Sequence, residues 1–159
     1  MVMTNAVLEA VRKIGPSIAA QSDEIERGRG LPLDVVEMIT PTGAFRMFVP
    51  EDLKGPEVEA WDGLEALREL AYHDGAAGWC AMIGSTTSLM SSSLPDPYAE
   101  EIFGCTDSIT GGFAMPAGRA RPVEGGLEVT GRWSWGSGTR HSTWVGGGCM
   151  IVGPDGKPT

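Results

Sequence analysis

Apolar residues recur at helical spacing through the first two thirds of the chain. Residues 5–28 keep apolar side chains on one face, which predicts a helix that kinks or restarts at Pro16 and stops at a glycine. A second, short helix is predicted to open at Pro32. The apolar segment 45–50 lacks this period, and we expect it to be an extended connector that lies on the core.

Two longer helical patterns follow the turn at Lys54–Pro56. The first is expected to bury one apolar face, made of Val58, Trp61, Leu64, Leu67 and Ala71. Residues 75–93 are mostly Ala, Gly, Ser and Thr, and because small side chains allow neighbours to approach closely, we expect this helix to be the most buried one. A last short helix is predicted from Asp96 to Phe103, so residues 1–105 are expected to form an α-helical N-terminal domain.

After Cys105 the pattern changes to short apolar runs separated by glycine-rich turns. Four strands are predicted, at Ile109–Met115, Arg121–Glu124, Leu127–Thr130 and Trp144–Val152. Gly125-Gly126 is a hairpin signal, and Pro154–Lys157 predicts another turn. Residues 106–159 are expected to begin a β-barrel or a β-sandwich without completing it, since four strands would leave unpaired edges. We therefore expect an α+β chain that is the front part of a larger protein or is completed by a partner.

Composition and charge narrow the possible classes of function. The 159 residues are 42% hydrophobic, and no apolar stretch is long enough to span a bilayer or resembles a signal peptide, which favours the cytoplasm and no membrane partner. Residues 1–107 carry 18 acidic and 7 basic side chains, a balance of −11, whereas residues 108–159 carry 3 and 5, a balance of +2. The acidic body argues against a nucleic-acid partner.

The small basic excess at the end of the chain comes largely from arginine. The arginines concerned are Arg119, Arg121, Arg132 and Arg140. They either suit a small anionic ligand or are ordinary solvated surface residues. The three cysteines are widely spaced and form no CxxC pair, and the chain has only two histidines, so we expect free buried thiols and no metal site.

The residues best suited to bind a ligand lie in the tryptophan-rich segment, residues 131–144. This segment holds three of the five tryptophans, one of the two histidines and several hydroxyl side chains. Gly136 and Gly138 let the backbone bend tightly, the indole rings supply flat apolar walls, and the hydroxyls supply directed hydrogen bonds. This mixture predicts a pocket for a flat ring with polar edges.

Four segments together resemble the acyl-CoA dehydrogenase fold. They are GAFRMFVPEDLKG (43–55), DGAAGW (74–79), PAGRARPVEGG (116–126) and GRWSWGSGTRHSTWVGGG (131–148). The chain is more similar to the oxygenase branch of that fold, the two-component flavin-dependent monooxygenases that hydroxylate phenols and related rings. The resemblance implies an α-helical N-terminal domain and, over residues 106–159, the start of an antiparallel β-barrel middle domain, with the family's C-terminal four-helix bundle absent. Residues 115–120 depart from the Thr-Glu-Pro and Gly-Ser-Asp pattern of the dehydrogenases, which favours the oxygenase branch.

The resemblance also implies a reduced flavin, FMN or FAD, against the β-domain. The cofactor-binding residues that it implies are Phe113, Ala114, Met115, Trp135, Ser137, Gly138 and His141. The hydroxyl of Ser137 would lie near flavin N5 and act in catalysis, while Phe113, Trp133 and Trp135 would exclude water. The alternative is that Ser137 is a turn hydroxyl that satisfies its own backbone.

Three further residues each have two interpretations. His73 is a second catalytic candidate, as an acid or base beside the substrate pocket, or it is a helix-end histidine that interacts with the helix dipole. His141 would have a structural or flavin-phosphate-side role rather than a role in proton transfer. Trp79 is either a core residue or a substrate-binding wall of the pocket.

The sequence therefore predicts the oxygenase component of a two-component flavin-dependent monooxygenase. It would take reduced flavin from a separate flavin reductase and use O2 to hydroxylate a small aromatic or polycyclic substrate, and the full-length protein would be a homotetramer. One alternative is an acyl-CoA dehydrogenase-like flavoenzyme with tightly held FAD. Another is a non-catalytic fragment or assembly partner of the same fold.

Overall fold

The computed structural model describes residues 5–153 and 155–159, and it consists of helices followed by a small sheet. The helices are α1 (Ala6–Ala19), α2 (Ser22–Gly28), α3 (Leu33–Ile39), α4 (Ala60–His73), α5 (Gly75–Ser88) and α6 (Asp96–Phe103). The strands are β1 (Thr110–Val123), β2 (Gly126–Thr130) and β3 (Trp144–Ile151). This order confirms the α+β class, while the division into domains 1–105 and 106–159 stays a prediction. Within the described residues, no helix has both the length and the apolar character that a membrane crossing requires.

The predicted break in the first helix lies later than Pro16. Helix α1 begins after Asn5, whose side-chain oxygen accepts a hydrogen bond from the backbone N–H of Leu8 at 3.0 Å. Pro16 sits inside α1 and removes one backbone hydrogen bond without ending the helix, because Val11 and Ile18 are buried on either side of it. The chain turns only after α1 ends, and it restarts there as α2.

The buried face of α4 is rotated from its predicted position. Trp61 is 72% exposed and Leu64 is 58% exposed, so the prediction that these two side chains face the core is wrong. The buried positions of α4 are Gly63, Ala66 and Leu70. Small residues face inward here because neighbours approach too closely for larger ones: a Cβ on Gly63 would lie 2.7 Å from the ring of Phe48.

Helix α5 buries more of its residues than the other described helices, as its composition predicts. Its core positions are Ala77, Gly78, Ala81, Gly84, Ser85 and Ser88. Asp74 caps the helix, accepting a hydrogen bond from the N–H of Ala77 at 2.8 Å. A Cβ on Gly84 would lie 2.9 Å from the carbonyl oxygen of Phe45. Because its side chains are small, α5 packs between α4 and the segment that contains Phe45.

The segment predicted to be an extended connector folds into turns instead. Ala44–Arg46 and Glu51–Leu53 form 3-10 turns. Phe45, Met47 and Val49 are buried, so the segment packs on the core as expected. The backbone nevertheless forms hydrogen bonds between residues close in sequence, since the N–H of Val49 donates to the carbonyl of Arg46 at 3.0 Å. A short apolar run alone could not distinguish these turns from an extended segment.

Arg46 ties these turns to the end of α6. Its side chain is buried, and its guanidinium donates to the carbonyls of Lys54 at 2.7 Å and Leu53 at 3.2 Å, and to the carbonyl of Phe103. Burial lowers the pKa of Arg46 from its ordinary value, because the charge loses solvation by water. Three main-chain carbonyls therefore depend on one charged side chain for their hydrogen bonds.

The sheet is mixed, with the strand order β2-β1-β3. Strands β1 and β2 form the antiparallel hairpin predicted at Gly125-Gly126, with Val123 opposite Gly126. Strand β3 pairs in parallel with β1, and Thr110 lies opposite Trp144. The expectation of a wholly antiparallel sheet is therefore corrected. The chain leaves β2 at one edge and passes β1 before it enters β3 at the other edge, so β3 runs in the direction of β1.

Two of the predicted strands are parts of one. The first two runs join in β1, and the pairing with β3 shifts register between Phe113 and Gly118. Pro116 lies in this interval and cannot donate a hydrogen bond to a neighbouring strand. The predicted break between the first two strands is therefore a bulge within β1 rather than the end of a strand. Of the predicted turn at Pro154–Lys157, Pro154 lies outside the described residues, and the N–H of Gly153 donates to the carbonyl of Lys157 at 2.9 Å.

We expect Arg46→Met to lower the free energy of unfolding by at least about 3 kcal/mol, because the carbonyls of three residues would lose charged donors in a buried place. Urea denaturation followed by circular dichroism measures this change. The matched control is Arg68→Met on α4, where an exposed arginine forms a surface ion pair with Glu65 at 3.0 Å and the expected loss is about 0.5 kcal/mol or less. Equal losses in the two variants would contradict the structural role of Arg46.

Candidate functional site

The tryptophan-rich segment crosses from one edge of the sheet to the other. Residues 131–143 lie between β2 and β3 and contain a turn at 137–141, so the segment is a connection that crosses from β2 to β3. Gly138 has a φ of 75°, a conformation that glycine adopts at little cost, and its carbonyl accepts a hydrogen bond from the N–H of His141 at 3.1 Å. Because the segment passes from one edge of the sheet to the other, it lies against the helices.

Polar contacts of Arg140 and Thr143 fasten the segment to the preceding part of the chain. The guanidinium of Arg140 donates to the carbonyl of Gly28 at 3.0 Å, at the carboxyl end of α2, where a positive charge is favoured. The hydroxyl of Thr143 donates to the carbonyl of Ile109 at 3.1 Å and accepts from its N–H at 3.0 Å. The turn is therefore held at residues far apart in the sequence.

Trp133 lies on the sheet. Its indole N–H donates to the carbonyl of Gly148 at 2.9 Å, and its ring centroid is 6.3 Å from that of Phe113. A Cβ on Gly147 would lie 2.9 Å from this indole, so the ring occupies space that only a glycine leaves open. Trp133 is half-buried and covers the sheet beside Phe113, the apolar setting expected of it.

A cleft of about 650 Å³ separates α5 from β1 and β3. This volume is in the range of small-molecule sites. The helix side is lined by Ile83, Thr86, Thr87 and Met90. The sheet side is lined by Gly112, Phe113, Ala114, Gly146, Gly147 and Gly148. The walls thus combine apolar side chains, two hydroxyls and the backbone of a glycine run.

Ser137 lies beside this cleft and is held by Trp79. The indole N–H of Trp79 donates to Oγ of Ser137 at 2.8 Å. The preceding residue, Gly136, lies against the ring of Phe113, from which its Cβ would be 2.6 Å away. Trp79 is 54% exposed and lies one helical turn before Ile83, on the side of α5 that lines the cleft. Trp79 is therefore not a core residue, and sequence reasoning missed its partner because 58 positions separate the two.

Trp135 is the most exposed large side chain of the segment. It is 95% exposed, and its backbone has a φ of 67°, which is an outlier for a bulky residue. Met115 is also exposed and lies outside the lining of the cleft, whereas Phe113 and Ala114 line it. Strained backbone of this kind occurs preferentially at ligand sites, where the surrounding structure maintains it.

The two histidines lie in different surroundings. The ring of His141 is half-buried with its centroid 5.5 Å from that of Phe45, and burial lowers the pKa of His141 below its ordinary value. His73 lies 3.4 Å from Glu69 and fills the space next to Gly15 of α1. The described contacts of His73 thus belong to the packing of α1 on α4, and its catalytic role stays a prediction.

The cysteines differ from the expected set of buried thiols, since Cys105 is exposed and Cys149 is half-buried. Cys80, next to Trp79, is also half-buried; burial, and secondarily the charge of Asp74, raise the pKa of Cys80 to about 11. Its thiol therefore stays protonated at neutral pH and is a poor nucleophile. In the described part of the chain, no group of three or more His, Cys, Asp or Glu side chains is placed to hold a metal ion.

The cleft has the features that a flavin ring system requires. Phe113 and Ile83 offer apolar faces, and the backbone at Gly146 offers a polar edge. A Cβ on Gly146 would meet no atom within 4 Å, so the cleft is open at this position. Ser137 adds a hydroxyl at its border. These residues fit one side of a flat, polar-edged ring.

Comparison with known proteins identifies the fold. The oxygenase subunit HsaA of a flavin-dependent monooxygenase from Rhodococcus jostii (strain RHA1) is 30% identical over 145 residues, which are 90% of this chain and 37% of the relative. Indole-3-acetate monooxygenase from Pseudomonas putida is 31% identical over 144 residues, 90% of this chain and 36% of the relative. The structure of XiaF from Streptomyces sp. in complex with FADH2 and glycerol matches with a TM-score of 0.89 at 27% identity, over 96% of this chain and 39% of XiaF.

This chain has the fold of the oxygenase components of flavin-dependent monooxygenases. The resemblance expected from the sequence is confirmed, and with it the acyl-CoA dehydrogenase-like fold. The chain spans little more than a third of the length of these two sequence relatives. No family model matches the sequence.

The docking of the segment should weaken as the pH falls. The pKa of His141 is lower in the folded protein than its ordinary value of about 6.5 in the unfolded chain, so the unfolded chain binds the proton first. Stability is fully present above about pH 6.5 and is lost as the pH falls through and below that value. Urea denaturation between neutral pH and about pH 5.5 should show a smaller loss for His141→Phe than for the wild type. Identical losses in the two proteins would contradict this assignment.

The backbone strain at Trp135 can be measured with two substitutions. Both Trp135→Gly and Trp135→Ala remove the exposed indole, but only glycine adopts a positive φ without steric cost. We therefore expect the glycine variant to be more stable than the alanine variant by about 1 kcal/mol in thermal or urea denaturation. An alanine variant as stable as the glycine variant would show that residue 135 is not held in the left-handed region.

Proposed function

We propose that this chain is part of an oxygenase component that binds a reduced flavin, FMN or FAD, in the cleft between α5 and the sheet. The protein would receive the flavin from a separate flavin reductase and use O2 to hydroxylate a small aromatic or polycyclic substrate. The single observation that carries the proposal is the cleft itself, which Phe113 and Ala114 line across from α5, beside Ser137. A homotetrameric assembly of the full-length protein and a cytoplasmic location are parts of the same proposal.

Each wall of the cleft has a defined task in this proposal. Phe113 and Ile83 would pack on the faces of the ring and exclude water, which strengthens the hydrogen bonds made inside. The backbone at Gly146 would approach the polar edge of the ring, because a Cβ at this position would meet no described atom within 4 Å. Ser137 would supply a hydrogen bond to the ring system near N5. Trp135, exposed at the border, would cover the ring from outside.

A bound reduced flavin supplies the two electrons with which O2 is activated, so that one oxygen atom enters the substrate and the other leaves as water. The residues of this chain would act by holding and shielding the ring rather than as an acid or base. His141 suits this role, since a half-buried histidine with a lowered pKa stays neutral at neutral pH and packs on Phe45. His73 as an acid or base remains the weaker candidate, because its contacts are with Glu69 and Gly15.

The alternatives make different predictions for the same protein. An acyl-CoA dehydrogenase-like flavoenzyme would retain oxidised FAD through purification, and an acyl-CoA would reduce it. An oxygenase component would bind reduced flavin supplied from outside and form product only with O2 and a reductase. A non-catalytic fragment or assembly partner would take up no flavin, even as part of the intact protein.

The proposed site is tested by filling the cleft at Gly146. A Cβ there would meet no described atom within 4 Å, so we expect Gly146→Leu to fold and its longer side chain to occupy the cleft. We expect the affinity of the intact protein for reduced FMN or FAD, measured by anaerobic titration, to fall by about tenfold or more, which is about 1.4 kcal/mol.

The matched control is Gly126→Leu, at the start of β2. A Cβ on Gly126 also meets no atom within 4 Å, but this residue lies on the opposite edge strand of the sheet and does not line the cleft. Flavin affinity should be unchanged in this variant. If Gly146→Leu binds reduced flavin as tightly as the control does, the cleft is not the flavin site.

A further inference from the structure

The hydrogen bond between Trp79 and Ser137 has only one possible direction. An indole N–H donates and cannot accept, so Oγ of Ser137 must be the acceptor in the 2.8 Å contact. A serine hydroxyl has one proton and two acceptor lone pairs. Trp79 therefore uses one lone pair and leaves the proton of Ser137 unused.

The neighbouring hydroxyls of the segment are arranged differently. Thr139 donates to the carbonyl of Gly136 at 2.8 Å, Ser142 donates to the carbonyl of Gly138 at 3.0 Å, and Thr143 donates to the carbonyl of Ile109 at 3.1 Å. Each of these hydroxyls gives its proton to the backbone and so stabilises the turn. For Ser137, the described residues provide a donor but no acceptor. The alternative in which Ser137 merely satisfies its own backbone does not describe this geometry.

Ser137 is placed where this free proton can meet a ligand. Its predecessor Gly136 lies against the ring of Phe113, which lines the cleft. Its partner Trp79 lies on the side of α5 that continues to Ile83 and Thr86 in the wall of the cleft. Trp79 of α5 therefore holds the hydroxyl of Ser137, and Ser137 lies near Phe113, which lines the sheet side of the same cleft.

We propose that Trp79 is a positioning residue, which orients the Ser137 hydroxyl so that its proton points to a hydrogen-bond acceptor on the ring ligand of the cleft. This inference rests on the proposed function for the identity of the ligand, a reduced flavin. Trp79 then acts through Ser137 and not by contact with the ring. It also sets the hydroxyl before the ligand arrives, so binding does not have to order it.

The first test examines the hydrogen bond without any ligand. In the intact protein, the indole N–H resonance of Trp79 is assigned by its disappearance in Trp79→Phe. We expect this resonance to move upfield in Ser137→Ala, which lacks the acceptor, and to stay close to the wild-type position in Ser137→Thr, which retains a hydroxyl. A resonance that is unchanged in Ser137→Ala would overturn the proposal.

The second test is a double-mutant cycle on the affinity for reduced flavin, with Trp79→Phe, Ser137→Ala and the combination of both. Each single substitution should weaken binding by about two- to tenfold, the effect of one lost hydrogen bond. Because Trp79 acts through Ser137, adding Trp79→Phe to Ser137→Ala should cause little further loss. Trp61→Phe on α4, another exposed tryptophan, is the matched control and should bind as the wild type does.

The outcomes of the cycle separate this inference from the proposed function. If Trp79→Phe weakens binding equally with and without Ser137, Trp79 touches the ligand directly and the positioning role is wrong. If Trp79→Phe binds flavin as the wild type does, the positioning role is also wrong, while the flavin site stands. If the wild type takes up no reduced flavin, the proposed function and the ligand assigned here are both overturned, and the indole resonance still decides the orientation of Ser137.

Discussion

The close packing around α5 is the constraint on which the rest of this structure depends. Its buried face consists of small residues, and the backbone of Phe45 approaches so closely that a Cβ on Gly84 would lie 2.9 Å from a carbonyl oxygen. The same helix meets the sheet, where the hydroxyl of Thr110 donates to the carbonyl of Gly84 at 3.4 Å. The outer side of α5, with Ile83 and Thr86, forms a wall of the cleft. The packing of α5 in the core therefore fixes the position of this wall of the cleft.

The crossing of the tryptophan-rich segment has a similar effect on the sheet side of the cleft. Because of this crossing, β3 runs parallel to β1, and Gly146–Gly148 lie next to Phe113. It also lies against the helices through Arg140 and His141. Side-chain contacts with residues distant in sequence, rather than a regular ladder, hold the segment in place. A connection held in this way can keep a strained residue such as Trp135 in position, because its neighbours are independently anchored.

The cleft combines features that a ring ligand needs before it arrives. Apolar side chains define its faces, glycine backbone defines an edge, and Oγ of Ser137 accepts a hydrogen bond from the indole of Trp79. Burial keeps His141 neutral at neutral pH and the thiol of Cys80 protonated, so neither side chain adds charge next to the segment. The described chemistry of the site is therefore hydrogen bonding and exclusion of water, which agrees with a cofactor that carries the reaction itself.

Local patterns in the sequence determined the helices, the hairpin and the residues suited to a flat ring. Small residues marked α5 as buried, and the glycine pair marked the turn of the hairpin, because these features depend on neighbours in the chain. The tertiary structure alone decided the rotation of α4, the parallel pairing of β3 and the contact of Trp79 with Ser137. Each of these depends on the approach of segments far apart in the sequence, which no local period encodes.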